Sequence, residues 1–179
     1  MATLLTDKRL SPELSEWAAS RIEHVGSAGF GPCWAVGIAV RGQLAAVAVW
    51  SDFQPRHGTL QISLASATPR WANRHTFGRV LGLAFDQPWG REAVRIDKVW
   101  AAMPSDVPRT IEFNVAIGFK REATLRHHYG RGRHAIITSM MSWEFRRLYR
   151  SEMRPNAAAD NVSDVRLANA KSDRETVYA

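Results

Sequence analysis

Cysteine is nearly missing from this chain: Cys33 is the single one in 179 residues. An internal disulfide is therefore excluded. Cys33 stands between Pro32 and Trp34 with no second Cys or His beside it, which argues against a metal site or a nucleophile relay and predicts a small buried hydrophobe. Long apolar runs are also missing. The longest, Leu44 to Trp50, falls far short of the roughly 20 residues that cross a bilayer. The first ten residues include Asp7, Lys8 and Arg9 and have no apolar core of signal-peptide length, so a soluble, cytoplasmic chain is expected. No internal repeat is evident. What remains is 45% hydrophobic residues and seven tryptophans, a composition that predicts one globular domain with a real core.

Acid is in short supply as well, with 17 Asp and Glu against 24 Lys and Arg and a net charge of +7. From Ser151 onward Arg154, Arg166, Lys171 and Arg174 face five acids, Glu152, Asp160, Asp164, Asp173 and Glu175. That segment is therefore net −1 and residues 1–150 carry +8. A folded surface this basic suits nucleic acid, an acidic protein or a phosphorylated cofactor. Residues 151–179 open on Pro155-Asn156-Ala157-Ala158-Ala159 and hold few large apolar side chains, so a flexible tail after a domain of residues 1–150 is expected.

Along the domain, Ser11 is a suitable cap and Pro12 a suitable first residue for a helix through Leu14, Trp17, Ala18 and Ile22. Trp34–Val40 and Gln43–Trp50 are apolar runs joined at Arg41-Gly42, a hairpin signal. Leu60 to Leu64 alternates as a third strand. The recurrence of Phe77, Val80, Leu81, Ala84 and Phe85 predicts an amphipathic helix over residues 74–86, which Pro88 and Gly90 end. Val94 to Ala101 reads as a strand. Ser105 or Asp106 is expected to cap a helix through Ile117. Residues 119–128 and 135–143 read as two strands across a Gly130-Arg131-Gly132-Arg133 loop, followed by a basic helical turn over residues 144–150. This order predicts an α/β (α+β) domain with a mixed, mostly antiparallel sheet and helices on both faces.

The stretch Thr110-Ile111-Glu112-Phe113-Asn114-Val115-Ala116-Ile117-Gly118-Phe119-Lys120-Arg121-Glu122-Ala123-Thr124-Leu125-Arg126 runs from a short helix through a glycine stop into a strand. This order resembles the carboxy-terminal half of the GCN5-related N-acetyltransferase (GNAT) superfamily, in particular its ribosomal-protein N-terminal acetyltransferase branch. The likeness spans about Leu44 to Leu148. The compact form and arginine-rich turn are similar to acetyltransferase-like proteins often encoded by tailed phages, which would place the chain in host cytoplasm or virion.

The resemblance implies acetyl-CoA as co-substrate and an amine acceptor, protein or small molecule. Its pantetheine arm would lie along Ile62, Ser63, Leu64 and Ala65, and its pyrophosphate at Arg70, Trp71, Ala72, Asn73, Arg74 and His75. Amides at a helix start form an anion site through the helix dipole. No glycine lies between Gly58 and Gly78, where the family usually has two. Thr110 matches a small hydroxyl residue near the start of the family's next helix. Where relatives carry a Glu on the central strand this chain has Gln61 and Ser63, and where another branch has Tyr it has Asn114, a hydrogen-bond donor but a poor acid. His57 is the remaining candidate base, because imidazole titrates near neutrality. Three readings follow: a base from elsewhere, proton loss through water, or a catalytically silent fold serving as a basic nucleic-acid-binding or virion-associated structural protein. Tyr129 to His134 with Arg146, Arg147 and Arg150 supports a nucleic-acid partner.

Overall fold

The computed structural model describes residues 2–150 and the backbone of 177–178; most of the expected tail lies outside the described residues. The fold is assembled on a hairpin. β2 (Trp34–Val40) and β3 (Gln43–Gln54) are joined by Arg41 and Gly42, both with left-handed φ (53° and 76°). Such a two-residue turn matches the twist of the flanking strands. β4 (Thr59–Ser66) pairs with the far side of β3, and β1 (Ala2–Leu5) adds to β2. β1 has no counterpart in the sequence reading, since four residues are too few to show a period. β5 (Lys98–Pro104), β6 (Lys120–Leu125) and β7 (Ala135–Met141) complete a path β1-β2-β3-β4-β5-β7-β6. Along it every neighbouring pair is antiparallel except β4 with β5.

Both faces of the central strands are covered, which is why β3 reads as an unbroken apolar run rather than an alternation. Val47 and Val49 lie in one core cluster with Leu14, Ala18 and Ile22 of α1 (Ser11–Ala19) and the turn after it. Ala46, Ala48 and Trp50 lie in the other with Phe77, Val80, Leu81, Ala84 and Phe85 of α2 (Arg74–Phe85). α4 (Ser142–Tyr149) joins α2 through stacked Phe85 and Phe145 rings, 5.0 Å between centroids. Gly37 lets α1 approach: a Cβ there would stand 3.0 Å from Leu5 and 3.1 Å from Leu14. No helix among the described residues is long and apolar enough to cross a membrane.

Several boundaries differ from the sequence reading, each for a local reason. Ser11 does not cap α1; its Oγ accepts the Ala35 amide at 2.8 Å and so ties the helix to β2. β5 begins at Lys98 rather than Val94, because the Asp97 and Lys98 amides both turn to the carbonyl of Gly58 (2.8 and 3.2 Å). α3 (Pro108–Ala116) has Val107 at its cap, without a side-chain bond. The expected caps are engaged elsewhere: Ser105 Oγ accepts the His134 amide, and Asp106 pairs with Arg133. β6 stops at Leu125, before His127 takes a left-handed φ of 56°. Cys33 is half-buried, and that burial raises its thiol pKa.

Candidate functional site

β4 has two edges that are treated differently. Against β3 it pairs over six consecutive positions, from Ala46↔Ser66 to Ser51↔Gln61. Against β5 it pairs at three, Thr59↔Lys98, Leu60↔Val99 and Gln61↔Trp100, and then the strands part. β5 stays with β7 along its whole length, so β4 is left with an edge from Ile62 to Ser66 that faces a gap. The orientation of that edge follows from one bond. The Ala67 amide donates to the Ala45 carbonyl at 2.8 Å. By the two-residue alternation of a strand, the main-chain groups of Ser63 and Ala65 turn to β3, and those of Ile62, Leu64 and Ser66 turn into the gap.

The far end of this edge runs into the start of α2 through a single helical turn, Pro69–Trp71. Trp71 is fully buried, and its indole N–H donates to Ser66 Oγ at 2.8 Å, so a side chain fixes the loop where glycines would otherwise permit its path. Asn73 caps α2: its Oδ1 accepts the Thr76 amide at 2.9 Å. Arg70 is exposed beside it. The Arg74 guanidinium lies 5.2 Å from the ring centroid of Tyr149, whose hydroxyl donates to the Ile117 carbonyl at 2.7 Å. A cavity of about 220 Å³ opens between α2, α3 and α4, lined among others by Asn73, Arg74, Phe77, Phe113, Ile117 and Tyr149.

The structure brings together the β4 edge and the Arg70–His75 turn, and separates other expected participants from them. Ser63 is buried and Gln61 half-buried, at positions two residues apart that share a face of β4 with Ala65. Asn114 is 2% exposed, and its amide nitrogen bonds inward to Met103 Sδ (3.1 Å) and the Thr110 carbonyl (3.3 Å). Thr110 is itself buried. His57 sits in the turn before β4, at the end opposite the gap; at ~3.3 Å per residue it is on the order of 20 Å from Leu64. Among the residues singled out from sequence, no candidate base stands beside the parted stretch of β4 from Ile62 to Ser66.

The basic loop is more neutral in the fold than in the sequence. Arg133 bonds Asp106 (Nε to Oδ2, 3.0 Å) and Glu23 (3.2 Å), which raise its pKa, Asp106 foremost. His127 Nδ1 accepts the Gly132 amide at 2.7 Å and the His127 amide donates to His134 Nδ1 at 3.0 Å, closing the loop on itself. Tyr129 packs on His24 with centroids 4.4 Å apart; burial raises the phenol to about 12 and lowers the imidazole, to which Arg133 adds. Sequence reading missed these pairings, and also Glu122, whose carboxyl is lowered by Lys98 at 2.5 Å and Ser139 at 2.6 Å. Cross-strand partners are set by register, which a single strand does not display.

No family model and no curated protein matches the chain by sequence. Solved structures match it by shape. The dodecameric spermidine N-acetyltransferase of Vibrio cholerae superposes with a TM-score of 0.59 at 13% identity, over 84% of this chain and 98% of that one. An acetyltransferase assigned to the GNAT family from Desulfovibrio desulfuricans gives 0.54 at 18%, over 79% and 99%. A third structure, described as an acetyltransferase, gives 0.56 at 20% over 68% of this chain, which spans 63% of that one. At such identities the likeness is one of fold: the domain is GNAT-like.

Proposed function

We propose that this chain is an acetyl-CoA-dependent N-acetyltransferase acting on an amine of a protein or small molecule. The observation that carries the reading is the parted strand pair, β4 and β5, with the start of α2 at the end of the edge that β5 leaves. The edge offers the main-chain groups of Ile62, Leu64 and Ser66 to an extended, amide-bearing arm. The turn offers the positive end of α2 together with Arg70 and Arg74 to phosphates. These residues fit the co-substrate in charge and hydrogen-bonding type, with Trp71 holding the turn in place of glycine.

Acetyl-CoA would supply an activated acyl group as a thioester. The chain's part is then to hold the donor extended along β4 and to leave the acceptor nitrogen room on the Gln61 and Ser63 side. The amine must arrive neutral, form its bond to the acyl carbon as the carbon–sulfur bond breaks, and give its proton to water, since neither Gln61 nor Ser63 is a useful base; CoA would depart as a thiolate and take up a proton from water. The charge of +8 on residues 1–150 disfavours polycationic acceptors and favours amines on neutral or acidic molecules. A place in the ribosomal-protein N-terminal acetyltransferase branch, a phage setting and a cytoplasmic or virion location stay part of this proposal.

A second reading is the same fold without chemistry, a basic nucleic-acid-binding or virion-associated structural protein. The inward bonding of Asn114 favours it, because no evident acid is left near the parted strands. Calorimetric titration with acetyl-CoA, followed by CoA release with peptide and small-amine panels, separates the two. Binding with release supports the enzyme. Silence toward acetyl-CoA together with DNA binding at low salt supports the alternative.

A further inference from the structure

The gap already has an occupant of this chain's own making. β8 (Val177–Tyr178) pairs antiparallel with β4, Leu64↔Tyr178 and Ala65↔Val177. β3 holds the other edge of β4 at these same positions, Ala48↔Leu64 and Val47↔Ala65, so β8 lies on the gap side, beside α3. Leu64 is the middle one of the three residues whose main-chain groups turn into the gap. One strand edge accepts one neighbour at a spacing of about 4.8 Å. A second extended chain cannot bond to Leu64 while β8 does.

We propose that the carboxy-terminal strand Val177–Tyr178 is an intramolecular competitor of the acyl donor, closing the donor groove by β-augmentation of β4 until it is displaced. This rests on the donor-site reading given above. Main-chain pairing asks only for an extended chain with amide and carbonyl groups in register, and both a peptide strand and a pantetheine arm carry them. The competition is therefore between two ligands of one chemistry at one edge. Because β8 is covalently attached, its occupancy does not depend on protein concentration, and a partner that captures the carboxy terminus would raise donor affinity. A pairing this short implies a modest grip. The amide and carbonyl of Leu64 offer two main-chain bonds, whose net strength corresponds to about a tenfold change in apparent affinity.

The test compares three chains by calorimetric titration with acetyl-CoA: the full chain, the chain ending at Thr176, and full-length Tyr178→Pro, which removes the amide that pairing requires. Hydrogen exchange at the Leu64 amide is followed by NMR without ligand. The expected result is acetyl-CoA binding about tenfold tighter in both variants than in the full chain, with faster exchange at Leu64. Equal, measurable affinity in all three chains would overturn the competition and leave the donor site standing. Absence of binding in all three would overturn the donor site and the competition with it, and unchanged exchange at Leu64 would overturn the pairing itself.

Discussion

The two edges of β4 belong to one eight-residue strand and share its side chains, yet one is held by β3 over six consecutive positions and the other is parted from β5 beyond Gln61 and met there by β8 at two positions. On the β3 side a two-strand register runs uninterrupted from Ser66 back to Gln61. On the β5 side three pairs hold and the rest is given up. The difference is not in the apolar content of β4, since Leu60 lies in the stretch paired with β5 and Ile62 and Leu64 in the stretch parted from it, all three buried in the same core. It lies in what anchors each end. At the start, the carbonyl of Gly58 receives two amides of the β5 approach and clamps the strands together. At the finish, Trp71 draws the chain away into α2. Two strands can thus be parted by two anchors outside a strand, with no weakening of the strand itself.

The largest expected effect comes from removing the finishing anchor. Trp71→Ala empties a fully buried site and removes the indole's bond to Ser66 Oγ, which keeps its own bond to the Thr68 carbonyl, and should cost about 3–5 kcal/mol in urea unfolding. A cost under about 1 kcal/mol would mean that the turn holds its path without the indole. Next is the clamp. Gly58 has a φ of 58°, and a Cβ there would stand 2.9 Å from the Arg95 carbonyl, so Gly58→Ala should cost about 1–3 kcal/mol. Exchange protection at Leu60 should fall with it, while the Val49↔Ser63 pairing on the sealed edge keeps its protection.

Smaller still is the charge at the turn. Replacing Arg70 and Arg74 together by Ala should weaken acetyl-CoA binding at least tenfold, about 1.4 kcal/mol, with β-sheet circular dichroism unchanged. Unaltered affinity would place the phosphates elsewhere. The smallest effect belongs to Glu122, across the sheet from the open edge. Its pKa is lowered by Lys98 first and Ser139 second, so its contribution is present above the ordinary carboxylate range and is lost as pH falls through the depressed folded value. Glu122→Gln should remove that part of the acid dependence while changing stability at neutral pH by less than about 1 kcal/mol, since the pair is partly solvent-exposed. A full acid profile in the variant would assign the dependence to other carboxylates.

What was legible in the sequence follows the range over which a signal acts. The Arg41-Gly42 hairpin, the period of α2 and the glycine stop at Gly118 are encoded within a few residues, and each stands where expected. That an extended arm would lie along Ile62 to Ala65 was expected through the likeness of residues 110–126 to a family, and no pattern in β4 itself showed that the strand parts from β5. Ser11, Ser105 and Asp106 all have the chemistry of caps, but tertiary partners, Ala35, His134 and Arg133, claimed them first. Trp71 offered no sign that its ring faces the core rather than a ligand, because a lone tryptophan in a turn has no period. β8 was least legible: two residues pair by main chain alone, and main chain has no sequence. Calling 151–179 a tail concerned mostly residues outside those described.

The contrast between the hairpin and the parallel pair also sets an order of events. β2 and β3 meet across two residues, whereas Thr59 must find Lys98 after α2 has formed between them. Closing the longer segment costs more chain entropy before any contact repays it, so parallel pairing is expected late and the β2–β3–β4 meander early. Mutations on β3, such as Val49→Ala, should then slow refolding, while Val99→Ala on β5 should chiefly speed unfolding. During synthesis the open edge of β4 thus exists before its neighbour does, and the nascent chain must carry that unpaired strand edge until residue 98 and beyond have emerged.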